Sequence, residues 1–258
     1  IRYVSTNGNR VLTTDEVTGK SGEAIAYSTT SQITEFKKQG YKLVSDEFTS
    51  GGAKVYDYDT ARDQVYTVTL SERVEPVNPD NPSPQPNTPV NPGQPDSPRW
   101  PGTVENLDNK ESVSRTIHYV YEDGSKAKDD VVETLNFKRW SNVNLVTGHI
   151  DFQDWTTNDD TFDKVVSPTI AGYTADKSEI PAVSGVQAKD QDRVETVTYH
   201  KDAQKAVIRY VSTNGNQVLK TDEVTGKSGE AIAYSTTSQI TEFKKQGYNL
   251  VSDEFTAG

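Results

Sequence analysis

The stretch Ile1–Gly51 is written twice in this chain. It returns as Ile208–Gly258, and the copies differ only where Arg10, Thr13, Lys42 and Ser50 become Gln217, Lys220, Asn249 and Ala257. A period this long with so few substitutions marks recent duplication and commits the chain to a series of modules rather than one continuous core. Enzymes seldom duplicate an active domain in tandem, whereas binding proteins do, because linked copies raise the effective concentration at a multivalent target. The chain opens at Ile1 in what reads as mid-strand and has no Met, so it reads as a piece of a longer protein.

Proline marks a second boundary. Of the 12 prolines, all but Pro168 and Pro181 fall between Pro76 and Pro101, mostly three residues apart. Three residues per turn is the polyproline II period, which predicts a stiff spacer reaching about 80 Å at roughly 3.1 Å per residue. A ligand for a proline-reading domain is the rival, but Arg99 is the sole basic residue in that run.

Residues 1–6 are β-branched and aromatic and lead into Asn7-Gly8, a strong hairpin signal, with a partner strand over 11–17. Ser28 and Thr29 offer an N-cap, Thr29 and Gln32 have capping-box spacing, Ile33 and Phe36 form an apolar pair, and Gly40 suits a left-handed stop. One short helix is expected there. Strands over 41–44 and 64–71 complete a ββαββ order, the last with Tyr66, Val68 and Leu70 on one face. That is the order of a β-grasp, in which the last strand lies beside the first in the middle of the sheet. Residues 115–202 repeat the landmarks: Asp123-Gly124 answers Asn7-Gly8, Gly172-Tyr173 answers Gly40-Tyr41, and 194–199 answers 65–70. Here too a four-stranded sheet clasping a helix is expected. An insertion over 137–165, holding Trp140, Phe152, Trp155 and Phe162, has room for a further helix or hairpin.

The copy beginning at Ile208 stops before its counterpart of Gln64–Ser71, so its sheet is expected to stay open, with unpaired edges. Such a body invites domain swapping, residues 208–258 of one chain taking the place of 1–51 in another.

Charge and composition remove several functions. The formal net charge is -11, the isoelectric point lies near 4.8 and no basic patch is visible, which argues against nucleic acid and anionic membrane as partners. Mean hydropathy is -0.75, and no apolar run approaches the ~18 residues of a spanning helix. The absence of Cys excludes disulfides, thiolate metal sites and cysteine nucleophiles, and His118, His149 and His200 are too scattered for a zinc cluster.

The segments I-x-Y-V-x-x-N-G at Ile1–Gly8 and I-H-Y-V-Y-E-D-G at Ile117–Gly124, the later Gly-Tyr pairs and the closing strands V-Y-T-V-T and V-E-T-V-T-Y resemble the Mub and MucBP repeats. Those repeats belong to mucus-binding surface proteins of gut lactic acid bacteria. The resemblance implies an α+β chain of tandem β-grasp (ubiquitin-like) domains in an elongated, multi-domain rod. The repeat, the proline run and the strand pattern divide the chain into a first domain over 1–75, a Pro-rich spacer over 76–110 that is not expected of every family member, a MucBP-like domain with an insertion over 111–202, and a truncated copy over 203–258. The resemblance implies an extracellular adhesin repeat, anchored to the bacterial cell wall through a segment outside this chain, that binds mucin glycans, with immunoglobulin as a second partner. A structural stalk that projects a distal binding domain is the alternative.

Individual residues sharpen that expectation. Trp155 with Asp154 and Asn158 offers an aromatic shelf with hydrogen-bonding neighbours for a sugar, and Trp140 is a second candidate. Asp151, Asp159, Asp160 and Asp163 are candidate calcium ligands, as are Asp123, Asp129 and Asp130, although the spacing lacks the D-x-D-x-D-G order. The same acids read as a glycosidase pair would need a buried member with a raised pKa, and nothing in this polar run suggests burial, so no enzyme is expected. An immunoglobulin partner would add a strand to an exposed edge, and Val11, Thr13 and Thr14 are expected to form that edge. Trp100 is expected to pack where the spacer meets the second domain.

Overall fold

The computed structural model describes residues 1–255, which divide into two compact units: residues 1–113, 135–160 and 187–190 in one, and 114–134, 161–186 and 191 onward in the other. The last three residues of the predicted truncated copy lie outside the described residues.

In the first unit, β1 (Arg2–Ser5) and β2 (Val11–Thr14) form the predicted hairpin, followed by α1 (Thr30–Lys38), β3 (Tyr41–Asp46) and β4 (Thr67–Glu72). The sheet order is β2-β1-β4-β3, with β4 parallel to β1 and antiparallel to β3. Alternation along β4 places Val68 and Leu70, both fully buried, on the face that meets Ile33 and Phe36 of α1 together with Tyr3, Tyr41 and Phe48. Helix capping departs from the expected box. Thr29 makes no side-chain cap; its hydroxyl donates instead to Asp46 Oδ2 at 2.6 Å. Burial raises the Asp46 pKa, but that bond and the backbone N–H groups of Phe48 and Thr49 outweigh it and hold the carboxyl below its usual range.

Gly40 ends α1 at φ +94°, and a Cβ there would lie 2.9 Å from the Leu145 Cβ. Its counterpart Gly247, at φ +91°, has nothing within 4 Å. Gly40→Ala is therefore expected to cost clearly more than the ~1 kcal/mol of backbone strain that Gly247→Ala carries. Chemical denaturation of the two variants checks the difference, and equal losses would contradict it.

The proline-rich segment is not an extended spacer. It begins as β5 (Val74–Val77), antiparallel to a later strand, and then doubles back: Val90 N–H donates to the Pro98 carbonyl and Trp100 N–H to the Thr88 carbonyl, both at 2.9 Å. Asn87 at φ +61° and Gly93 at φ +88° supply the reversals that proline alone cannot make. Val77, Val90 and Trp100 then bury against Val104, Val143 and Leu145, and this apolar contact outweighs the polyproline preference. Val104 is carried on a 3-10 turn over Gly102–Asn106.

Residues 110–202 supply β6 (Lys110–Tyr121), β7 (Lys126–Lys138), β8 (Ser141–Asn144), β9 (Ile150–Phe152), β10 (Val165–Val166), β11 (Tyr173–Ala175), β12 (Glu179–Ile180) and β13 (Arg193–Lys201). Strands β5, β8 and β9 make a three-stranded sheet in the first unit, and Asn144 Oδ1 accepts from Val146 and Thr147 to turn the β8–β9 hairpin. In the second unit β13 runs parallel to β6 and antiparallel to β11, and the order β11-β13-β6-β7 repeats that of the first sheet. The expected helix is absent among the described residues of 110–202. Alternating burial in β8 (Ser141 and Val143 at 0% exposure) and an Asx turn took the place of any helical period.

One side chain anchors this second core. Arg115, at 1% exposure, donates from Nε to Glu133 Oε2 at 2.7 Å, from Nη1 to the Pro181 carbonyl at 3.0 Å and from Nη2 to the Asp163 carbonyl, with its guanidinium 5.1 Å from the Phe162 ring centre.

The second copy follows in the same unit as the hairpin β14 (Ala203–Val211) and β15 (Val218–Lys227) and the helix α2 (Thr237–Lys245). Residues 246–255 add no further strand, and the sheet stays two-stranded.

Candidate functional site

The aromatic segment after β7 belongs to the first unit, and its side chains stack in alternation with cations. The Arg139 guanidinium lies 4.0 Å from the Phe152 ring centre and 4.3 Å from that of Trp155, and Lys189 Nζ lies 5.4 Å from Trp155. Asp108 accepts from Arg139 at 3.0 Å and from Lys189 at 2.9 Å, and Glu111 also accepts from Lys189. These bonds draw the Lys189 pKa upward, those to Glu111 and Asp108 being the main cause. Thr156 and Thr157 tie the loop to β7 by donating to the Lys138 and Asn136 carbonyls at 2.9 Å.

Of the predicted glycan residues, Trp155 is half-buried and stacked with these cations, Asp154 and Asn158 are exposed, and Trp140 keeps 42% of its surface in solvent. The sequence marked Trp140 and Trp155 but missed Arg139, Lys189 and Asp108. Arg139 adjoins Trp140 in the chain, yet only the fold brings Lys189 to the same ring.

Among the described residues no three His, Cys, Asp or Glu side chains gather in a metal-holding group, so the suggested calcium ligands Asp151, Asp159, Asp160 and Asp163 are not brought together. Asp123 accepts from Ser125 in its turn, Asp129 pairs with Lys126 at 2.9 Å and Asp130 with His118 at 2.9 Å. Asp46, Glu122, Asp123, Asp129, Asp192 and Asp222 are each pushed down, the opposite of what a general acid requires. Strand β2, carrying Val11, Thr13 and Thr14, lies at the edge of its sheet, and Val11 is 51% exposed. No helix among the described residues is long and apolar enough to cross a membrane.

Comparison with known proteins gives this arrangement its context. Residues 104–203 match the Muc B2-like domain family, and residues 1–72 and 204–258 match a mucin binding domain family. The chain belongs to the mucus-binding repeat family. A crystal structure of Mub-RV superposes with a TM-score of 0.61 at 26% identity, over 78% of this chain and 96% of that one. The type 2 repeat of the mucus binding protein MUB from Lactobacillus reuteri aligns with a TM-score of 0.50 at 27% identity, over 78% of this chain and 97% of that one. No curated protein matches. The mucus-binding repeat is thus a sheet-rich, non-enzymatic binding module of a surface adhesin, and the two family matches meet where β13 gives way to β14.

Proposed function

We propose that this repeat binds mucin glycoproteins through their glycans, as one unit of a multivalent adhesin held at the bacterial cell surface by a cell-wall anchor outside this chain. The observation that carries the reading is the match of mucin-binding families over residues 1–72 and 104–258. The strand orders β2-β1-β4-β3 and β7-β6-β13-β11 support two β-grasp domains in series, the first with a helix and the second without. Trp140 is the glycan platform in this reading, because the Trp155 ring is engaged by Arg139 and Lys189, while Asp154 and Asn158 offer exposed hydrogen-bonding groups nearby in sequence. Sialylated or sulfated chains share the sign of a protein at -11, so each site relies on stacking and hydrogen bonds and stays weak. Repetition supplies the avidity. Immunoglobulin is the second proposed partner, added as a strand to the β2 edge.

Trp140→Ala is expected to lower binding to immobilised mucin about tenfold while leaving the unfolding midpoint unchanged, and glycosidase treatment of the mucin should lower wild-type binding to the same level. A chelator should leave the signal as it is, since the acids are read as a solvated face. Equal retention of the wild type, Trp140→Ala and a scrambled-surface variant would instead favour a stalk.

A further inference from the structure

Strand direction decides how a sheet answers tension along its own chain. The chain enters the second sheet by β6 and leaves it by β13, and these strands lie side by side and parallel, in register from Arg193↔Arg115 to Tyr199↔Tyr121. Because their N-terminal ends adjoin, a pull on the two flanking segments enters the pair at one end and leaves it at the other. Such a pull slides β13 along β6 instead of peeling it away. The bonds of a parallel ladder are evenly spaced, and under sliding they carry the tension together. The first sheet is entered by β1 and left by β4, which run parallel from Arg2↔Thr67 to Ser5↔Leu70. Arg2 N–H donates to the Tyr66 carbonyl at one end of that pair and Thr6 N–H to the Leu70 carbonyl at the other, both at 2.8 Å.

We propose that the parallel pairs β1–β4 and β6–β13 are shear clamps, and that bearing tension along the chain is a function of this repeat beyond binding. Their side chains support the assignment. Ile117 and Tyr119 of β6 and Val197 and Tyr199 of β13 are at 0–1% exposure, as are Tyr3 of β1 and Val68 and Leu70 of β4. Water therefore has no access from the inner face to replace a ladder bond as it stretches. A slip of one residue would turn each of these side chains to the solvent face, so the ladder has no neighbouring register in which to rest. Both strands of the second pair are also fastened sideways. Arg115, near the end of β6 where tension enters, donates to Glu133 and to the carbonyls of Pro181 and Asp163, and the Tyr199 hydroxyl donates to the Pro168 carbonyl.

The source of the tension rests on the proposed placement between a cell-wall anchor and bound mucus; the clamps are a property of the strands themselves. The proline-rich hairpin has the opposite geometry. Its ends meet where Asn87 N–H donates to the Trp100 carbonyl at 2.9 Å, so a pull across it opens one bond at a time.

The chain has no cysteine, so introduced thiols alone set where force is applied. In single-molecule force spectroscopy of the full chain, handles at the exposed positions Ser112→Cys and Ala203→Cys load β6–β13 in shear. Handles at Asp123→Cys and Ala203→Cys load the same pair from one end, so that its bonds part in turn. Shear is expected to need about threefold more force at equal pulling speed, since forced unfolding follows the unfolding rate along the direction pulled. A cysteine added before Ile1 with Ser71→Cys, set against Thr6→Cys with Ser71→Cys, should give a similar ratio for β1–β4, and a handle that disturbs one sheet leaves the other to decide. Urea midpoints matched within each comparison hold stability constant. Equal forces in the two directions, or a lower force in shear, would overturn the proposal. No mucin enters the measurement, so its failure leaves the glycan reading standing, and loss of mucin binding leaves the clamps standing.

Discussion

Leu70→Ala is expected to remove about 2–5 kcal/mol from the stability of the first sheet. Leu70 is fully buried in β4, which sits between β1 and β3, and it pairs with Ser5 on one side and Leu43 on the other. Truncation there opens a cavity beneath Ile33 and Phe36 of α1, in the middle of a nine-residue buried cluster. The variant should lose protection against amide exchange at Tyr3 and Ile33, which share that cluster. A loss under about 1 kcal/mol, measured by chemical denaturation, would mean that β4 is not what closes the sheet.

Arg115→Met is the second large effect, expected to cost about 3 kcal/mol in the other unit. The guanidinium is the donor for Glu133 and for the carbonyls of Pro181 and Asp163, and its replacement leaves all three acceptors without it in a buried setting. The figure stands at the low end for a broken buried pair because Glu133 keeps 26% of its side chain in solvent. Arg115→Lys should recover little, since an ammonium on a single stem cannot reach three acceptors in a planar fork. Urea denaturation followed by far-ultraviolet circular dichroism checks both variants, and full recovery by lysine would show that charge alone, not fork geometry, holds the site.

Much of the fold was legible before any coordinates. Asn7-Gly8 and Asp123-Gly124 are hairpin turns, Ile33 and Phe36 face the core, and Val68 and Leu70 share the buried side of a central strand, all from patterns that span a few residues. The proline-rich run was misread, because its turns depend on Val90 and Trp100 finding Val143 and Leu145, more than forty residues away. The expected helix over 111–202 failed for a related reason: β8 owes its strand to pairing with β5. At the candidate site Trp140 and Trp155 were visible as residue types, but Lys189 reached Trp155 only through the fold.

The duplicated segment separates the two kinds of information within a single chain. Near-identical sequences produced a hairpin about the same Asn-Gly turn, the same helix, the same tyrosine pair on an aspartate and the same threonine-to-aspartate bond, since each needs only neighbours inside the copy; the second hairpin runs longer because Glu223–Lys227 pair with Ala203–Val207, which precede the copy. Burial was decided elsewhere. Phe36 is at 5% exposure while Phe243, with the same neighbours in sequence, is only partly buried, and α2 buries no residue at all. Local hydrogen bonds and backbone preferences are satisfied within a few residues, but an apolar face is removed from water only when another element covers it, and in the first copy β4 is part of that cover.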